Sequence, residues 1–194
     1  FLDCRQFMTI AFITLFAINI FINFGNTGFD QAFNYYLKDQ LNLTSAYNGI
    51  IKAAVGLVSF VANMTICIWI INKTKMRRSL VALIFVCTIA SVGTVIAPNI
   101  GLFIGFSILV YAGYSISLPV LQNIVAKQAS IHQKNLVMGF YNATKSLGSI
   151  VGSLTAGFIY SVNVKLPFIL TAVVYGISIV ISIIYLNLKK VETQ

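Results

Sequence analysis

Six stretches of the chain are apolar over a membrane-crossing length: residues 8–37, 46–71, 79–97, 100–125, 136–160 and 166–188. A bilayer core takes about 20 residues of helix. Backbone polar groups have no water to bond in lipid, so such segments are helices rather than open strands. The connections "KDQLNLTSA", "NKTKMRR", "APN" and "SVNVK" are turn-like, and "AKQASIHQKN" is the longest. The pattern predicts an all-α membrane protein with six transmembrane helices and no soluble insertion.

Polar positions inside these spans are not scattered. In the first span Asn19, Asn23, Asn26, Asp30 and Asn34 are spaced 4, 3, 4 and 4, which is one face of a helix. A lipid-facing stripe with a carboxylate is costly, so this face either lines a water-filled cavity or hydrogen-bonds neighbouring helices. Gly25 and Gly28 in "NFGNTG" predict a break in the same span. The second span repeats the pattern more weakly with Lys52, Ser59 and Asn63. The fourth carries Tyr111, Tyr114, Ser115, Ser117, Pro119, Gln122 and Asn123, and Pro119 predicts a kink. The fifth carries Asn142, Lys145, Ser149 and Ser153 on one face. The third and sixth hold only hydroxyls such as Thr88, Ser91, Ser178 and Ser182. This three-plus-three rhythm predicts two inverted three-helix repeats, a device common in transporters.

Depth pairs two of the charges. Asp30 lies roughly 12 Å below the outer end of its helix, and Lys52 roughly 9 Å below the same surface on the next, antiparallel one. An unpaired charge at that depth is unfavourable, so the two are expected to be neighbours. Asp30 is the only acidic residue inside a span. It either couples protons or forms a permanent ion pair that holds two helices together. Lys145, on the order of 13 Å along its helix, either faces a cavity or snorkels to the interface.

Composition sharpens this picture. The chain is 58% hydrophobic and 9% charged, where a soluble domain would carry about 25% charged residues. Of the 13 basic residues, nine (Arg5, Lys73, Lys75, Arg77, Arg78, Lys127, Lys134, Lys189, Lys190) fall on one side of the predicted membrane. Lys38 and Lys165 fall on the other. Basic loops face the cytoplasm, so both termini are expected there. The net charge of +9 therefore reports orientation and not nucleic-acid binding. Cys4, Cys67 and Cys87 fit no metal spacing and read as small core residues. His132 reads as a solvated loop residue. No metal or cofactor is expected, and no hydrolase constellation, nucleotide loop or haem site points to an enzyme. The chain opens on Phe without a signal-peptide pattern, and it is expected to be a piece of a longer protein.

The stretch "MGFYNATKSLGSIVGSLTAGFIY" places Gly139, Gly148, Gly152-Ser153 and Ala156-Gly157 in a definite register. It resembles the antiporter motif of the major facilitator superfamily: a glycine, eight residues, a glycine, three residues, Gly-Pro, two residues, Gly-Gly. The spacing matches throughout, with Ser153 in place of proline and Ala156 in place of the first paired glycine. A degraded copy in the fifth of six spans resembles the family's eleventh helix. The resemblance implies that residues 1–194 are the C-terminal half, helices seven to twelve, of a twelve-helix transporter, with an N-terminal six-helix half as partner. It also implies alternating access to a small-molecule substrate near the bilayer midplane. On that basis Asn23, Asn26, Asp30, Asn34, Lys52, Asn63, Tyr111, Tyr114, Gln122, Asn142 and Lys145 are the candidate substrate or ion pathway. Gly139, Gly148, Gly152 and Gly157 are the candidate helix-packing strip. The loop "NKTKMRRSL" keeps only the basic cluster of the family's cytoplasmic motif, so no gating latch carries over; Arg77 and Arg78 enforce topology and touch anionic lipid. The expectation is proton-coupled efflux of a drug or metabolite across a bacterial cell membrane. The alternatives are a proton- or ion-coupled uptake symporter and, from another class, a self-contained six-helix oligomeric channel or scaffold.

Overall fold

The structure is a computed structural model that describes residues 9–191. Cys4, Arg5 and the first residue of the leading span lie outside the described residues, as do the side chains of Lys189 and Lys190. The described chain is all helix: α1 (Ile10–Asp39), α2 (Ser45–Lys73), α3 (Met76–Ile96), α4 (Ile100–Gln128), α5 (Lys134–Val162) and α6 (Leu166–Val191). Each helix matches one expected span, although 8–37 begins before α1 and 79–97 ends one residue past α3. Five helices are both long and apolar enough to cross a membrane. The other, α5, has ample length at 29 residues, but its glycines, serines and Lys145 dilute its apolar character. This is an all-α membrane protein. Its turns are closed locally. Asn99 caps α4 by accepting from Leu102 N–H at 2.9 Å, and Asn42, with φ 49°, takes the left-handed step between α1 and α2.

The packing follows a rule of exchange. Helix α1 packs most closely on α5 and α6, and α4 packs on α3 and, less extensively, on α2. Helices α3 and α6 pack on each other, and α1 meets α4. Swapping α1 with α4, α2 with α5 and α3 with α6 maps these neighbours onto themselves. Each set has three crossings, an odd number, so the second set runs through the membrane in the opposite sense, as in inverted repeats.

The two sets differ in how tightly they close. A Cβ added at Gly148 would press on the Ile20 carbonyl, and one at Gly152 on the Phe24 carbonyl, both backbone of α1. Gly28 returns the approach, since a Cβ there would lie 3.4 Å from Gly152 O. Small residues thus let α1 and α5 meet backbone to backbone. On the matching side, nothing lies within 4 Å of a Cβ at Gly49 or Gly56 of α2. Gly139 and Gly157 also face open space. The four-glycine packing strip is therefore corrected to two: spacing put all four on α5, but α1 crosses only over Gly148 and Gly152.

One further expectation changes. Helix α1 runs unbroken through Gly25 and Gly28. Gly25 is packed against Tyr175 and Val174 and Gly28 against Gly152, so contacts with α5 and α6 hold a segment that glycine alone would loosen. Helix α4 holds Pro119 within its length. A departure from α-helical geometry sits in α2, where Asn63–Cys67 form a π-turn. There the Asn63 amide donates to Ser59 O at 2.9 Å and Thr65 Oγ1 to Val61 O at 2.7 Å. Side chains bonding to ladder carbonyls are a known cause of such departures. Cys67 and Cys87 are buried free thiols, and His132 sits in the exposed α4–α5 turn.

Candidate functional site

Helices α1, α2 and α4 cross around one charged cluster. Lys52 Nζ forms an ion pair with Asp30 Oδ1 and donates to Tyr111 OH at 2.9 Å. Tyr111 OH in turn donates to Asp30 Oδ1 at 2.8 Å. The second carboxylate oxygen accepts from Asn34 Nδ2 at 3.3 Å, and Asn34 Oδ1 accepts from Asn48 at 3.5 Å. The ammonium also sits 4.8 Å from the centre of the Tyr111 ring and 5.4 Å from that of Phe33, within cation–π range. Neither charge is sealed in: the Lys52 and Asp30 side chains are 30% and 35% exposed. The pair is therefore bonded on its protein side and open on the other.

Its apolar wall is aromatic. Phe29 meets Tyr111 and Phe168 edge-on at 5.5 and 5.4 Å, and Phe33 stacks on Phe103 at 5.8 Å. Phe29 and Phe33, one turn apart on α1, are fully buried. They screen one flank of the cluster and keep α1 at a fixed distance from α4.

A second polar layer lies two turns earlier along α1. Tyr114 OH donates to Asn23 Oδ1 at 2.9 Å. Asn23 Nδ2 donates to Asn19 O and Oδ1 at 2.7 and 2.9 Å. Asn19 Nδ2 reaches α5, donating to Tyr141 O at 2.7 Å and Thr144 Oγ1 at 2.9 Å. Asn19 and Asn23 are fully buried, so this part of the stripe ties helices together and has no opening. Between α2 and α4, Asn63 Nδ2 donates to Ser115 Oγ at 2.6 Å. Asn26 differs from its neighbours: its Oδ1 is buried without a partner among the described residues.

The expected pathway residues thus separate. Asp30, Asn34, Lys52 and Tyr111 form one cluster, Asn23 and Tyr114 a second, and Asn63 pairs with α4 separately. Gln122, Asn142 and Lys145 are exposed on α4 and α5 and join none of these groups. The sequence pattern named Tyr111 as polar lining but not as the bridge between the charges. It passed over Asn48 and Phe33, although Phe29 and Phe33 are separated by one helical turn and so share a face with each other.

Six long helices in two exchangeable sets, with an ion pair held within the bundle, match the three-plus-three organisation found in membrane transporters. The chain belongs to the Major Facilitator Superfamily, whose family model matches residues 10–194. It is similar to the Multidrug efflux pump SdrM of Staphylococcus aureus (strain N315), with 26% identity over 165 residues, 83% of this chain. The matched segment spans 35% of that relative's length.

Proposed function

We propose that the chain is the C-terminal six-helix half of a proton-coupled efflux transporter, and that Asp30 is its coupling group. The observation that carries this reading is the Asp30–Lys52–Tyr111 cluster, the ion pair among the described residues, joining three helices within the bundle toward the end that carries the α1–α2 turn. A charge pair within the membrane is net neutral while both partners are ionised. A proton taken up by Asp30 removes the negative partner and leaves the Lys52 ammonium alone beside Tyr111 and Phe33. Lone charge is costly there, and Lys52 is already partly exposed. Protonation thus favours a state in which Lys52 turns to water and α2 parts from α1. Movement of one wall, driven by a proton, is what coupling requires.

Efflux is supported by the glycine register of α5 and by the name of the relative. The N-terminal half supplies the opposite wall of the cavity. Both termini face the cytoplasm of a bacterial cell, on the basic-residue asymmetry. The test is flux in proteoliposomes of the full-length protein, with and without an imposed pH gradient. Asp30→Asn abolishes gradient-driven transport and retains substrate exchange. Normal gradient-driven transport by this variant, with unchanged pH dependence, refutes the assignment.

A further inference from the structure

At the end of the bundle that carries the α2–α3 turn, the described residues line a half-open cavity of about 860 Å³. Lys75, Arg77, Arg78 and Lys127 line it, and among the described residues no carboxylate does. The carboxylates among the described residues, Asp30 and Asp39, lie elsewhere on α1, and Asp30 is already paired with Lys52. Lys127 sits in the last turn of α4 and offsets that helix's carbonyls. Among the described residues, Lys75, Arg77 and Arg78 remain as surplus positive charge. They surround the start of α3, which has no acidic residue in its first turn and no side-chain cap. That helix end adds a positive partial charge of its own.

The cavity is built. Arg77 lies over the Tyr185 ring at 5.6 Å, and Tyr185, itself buried, donates to Gln128 Oε1 at 2.8 Å. An arginine held through its face by an aromatic ring keeps its forked donors in a fixed plane, the geometry that matches a phosphate. The floor is apolar, with Met76, Ile124 and Leu186. A free inorganic anion gains nothing from such a floor. The glycerol and first methylenes of a lipid do.

We infer that this cavity binds the phosphate of an anionic phospholipid headgroup, with Arg77 and Arg78 as the main contacts and Lys75 and Lys127 at the rim. The test uses the purified full-length protein in detergent. Thermal unfolding and native mass spectrometry are followed with added phosphatidylglycerol, phosphatidylcholine, glycerol phosphate or inorganic phosphate. Phosphatidylglycerol is expected to bind and stabilise, and the other three to have little effect. Arg77→Ala with Arg78→Ala should weaken phosphatidylglycerol binding roughly thirty-fold, from the usual worth of two basic residues at an anionic surface. Should that variant fold poorly, Lys75→Ala with Lys127→Ala, at exposed positions, is expected to weaken binding in the same direction. Lys38→Ala with Lys165→Ala, at the other end, should leave it unchanged. Equal binding of the two lipids, or a phosphatidylglycerol effect untouched by either basic-end variant, overturns the inference. Protection by glycerol phosphate equal to that by the lipid overturns the lipid assignment and gives the site to a soluble phosphate.

Discussion

The contact between α1 and α5 makes a sharp test, because it rests on backbone and not on side chains that could move aside. A methyl group at Gly152 would lie 2.9 Å from Phe24 Cα as well as against its carbonyl. At Gly148 it would lie 3.1 Å from Ile20 Cα. Neither neighbour is the flexible end of a side chain, so the helices must separate. Overpacking of a close contact costs about 1–3 kcal/mol, and a clash with backbone belongs at the upper end. Helix propensity works in the opposite direction, favouring alanine over glycine by up to about 1 kcal/mol. Gly148→Ala and Gly152→Ala should therefore each destabilise by about 1–2 kcal/mol net. For a chain of this size that lowers the unfolding midpoint by about 2–8 °C. Gly139→Ala and Gly157→Ala meet nothing within 4 Å, so they should be neutral or slightly stabilising. Leucine at 148 or 152 should further reduce flux while membrane insertion stays normal. The measurements are thermal unfolding of the full-length protein in detergent and flux in proteoliposomes. If the two pairs of alanine variants have the same midpoints, the backbone contact is not where the stability of this face resides.

Two other outcomes follow from the polar layers. Cysteine at Asn34 should react with a membrane-impermeant thiol reagent, whereas cysteine at the fully buried Asn23 should stay protected in this conformation, with Lys38→Cys as an exposed control at the end of α1; equal labelling of positions 23 and 34 refutes the separation into an open and a closed layer. Lys52→Met should destabilise more than the double variant Asp30→Asn with Lys52→Met, because the single change strands a carboxylate that the double change removes; additive effects on the unfolding midpoint would mean that the pair contributes no coupling.

Much of this architecture was legible from residue spacing. The 4, 3, 4, 4 stripe on α1 and the matched depths of Asp30 and Lys52 follow from helix geometry alone, and the ion pair is where depth put it. Periodicity assigns a residue to a face but does not say which neighbour crosses that face, or at what height. That is why Gly139 and Gly157 were grouped with Gly148 and Gly152. It is also why Asn23, sealed by Tyr114, was grouped with the half-open Asn34. The unbroken course of α1 was hidden for a related reason: glycine weakens a helix in isolation, and the packing of Tyr175 and Gly152 that restores it comes from far along the chain. The basic cavity joins residues 74–78 to 124–128 and 186–187. From sequence its cations read only as a signal of orientation and lipid contact.

The π-turn in α2 changes the phase of that helix. Above it, Val55 and Ala62 are buried, seven residues apart and nearly in line; below it, the buried positions are Cys67 and Ile70. In a straight α-helix, five residues from Ala62 to Cys67 would turn the buried side well away from its starting direction, since each residue adds about 100°. The widened turn absorbs one residue's worth of that rotation and brings Cys67 back toward α4. The upper end of α2 can therefore aim Lys52 at Asp30 while the lower end keeps its own seat, an alignment that a regular helix of the same sequence would deny to one of them. The extra residue lets each end of this wall bury its own face.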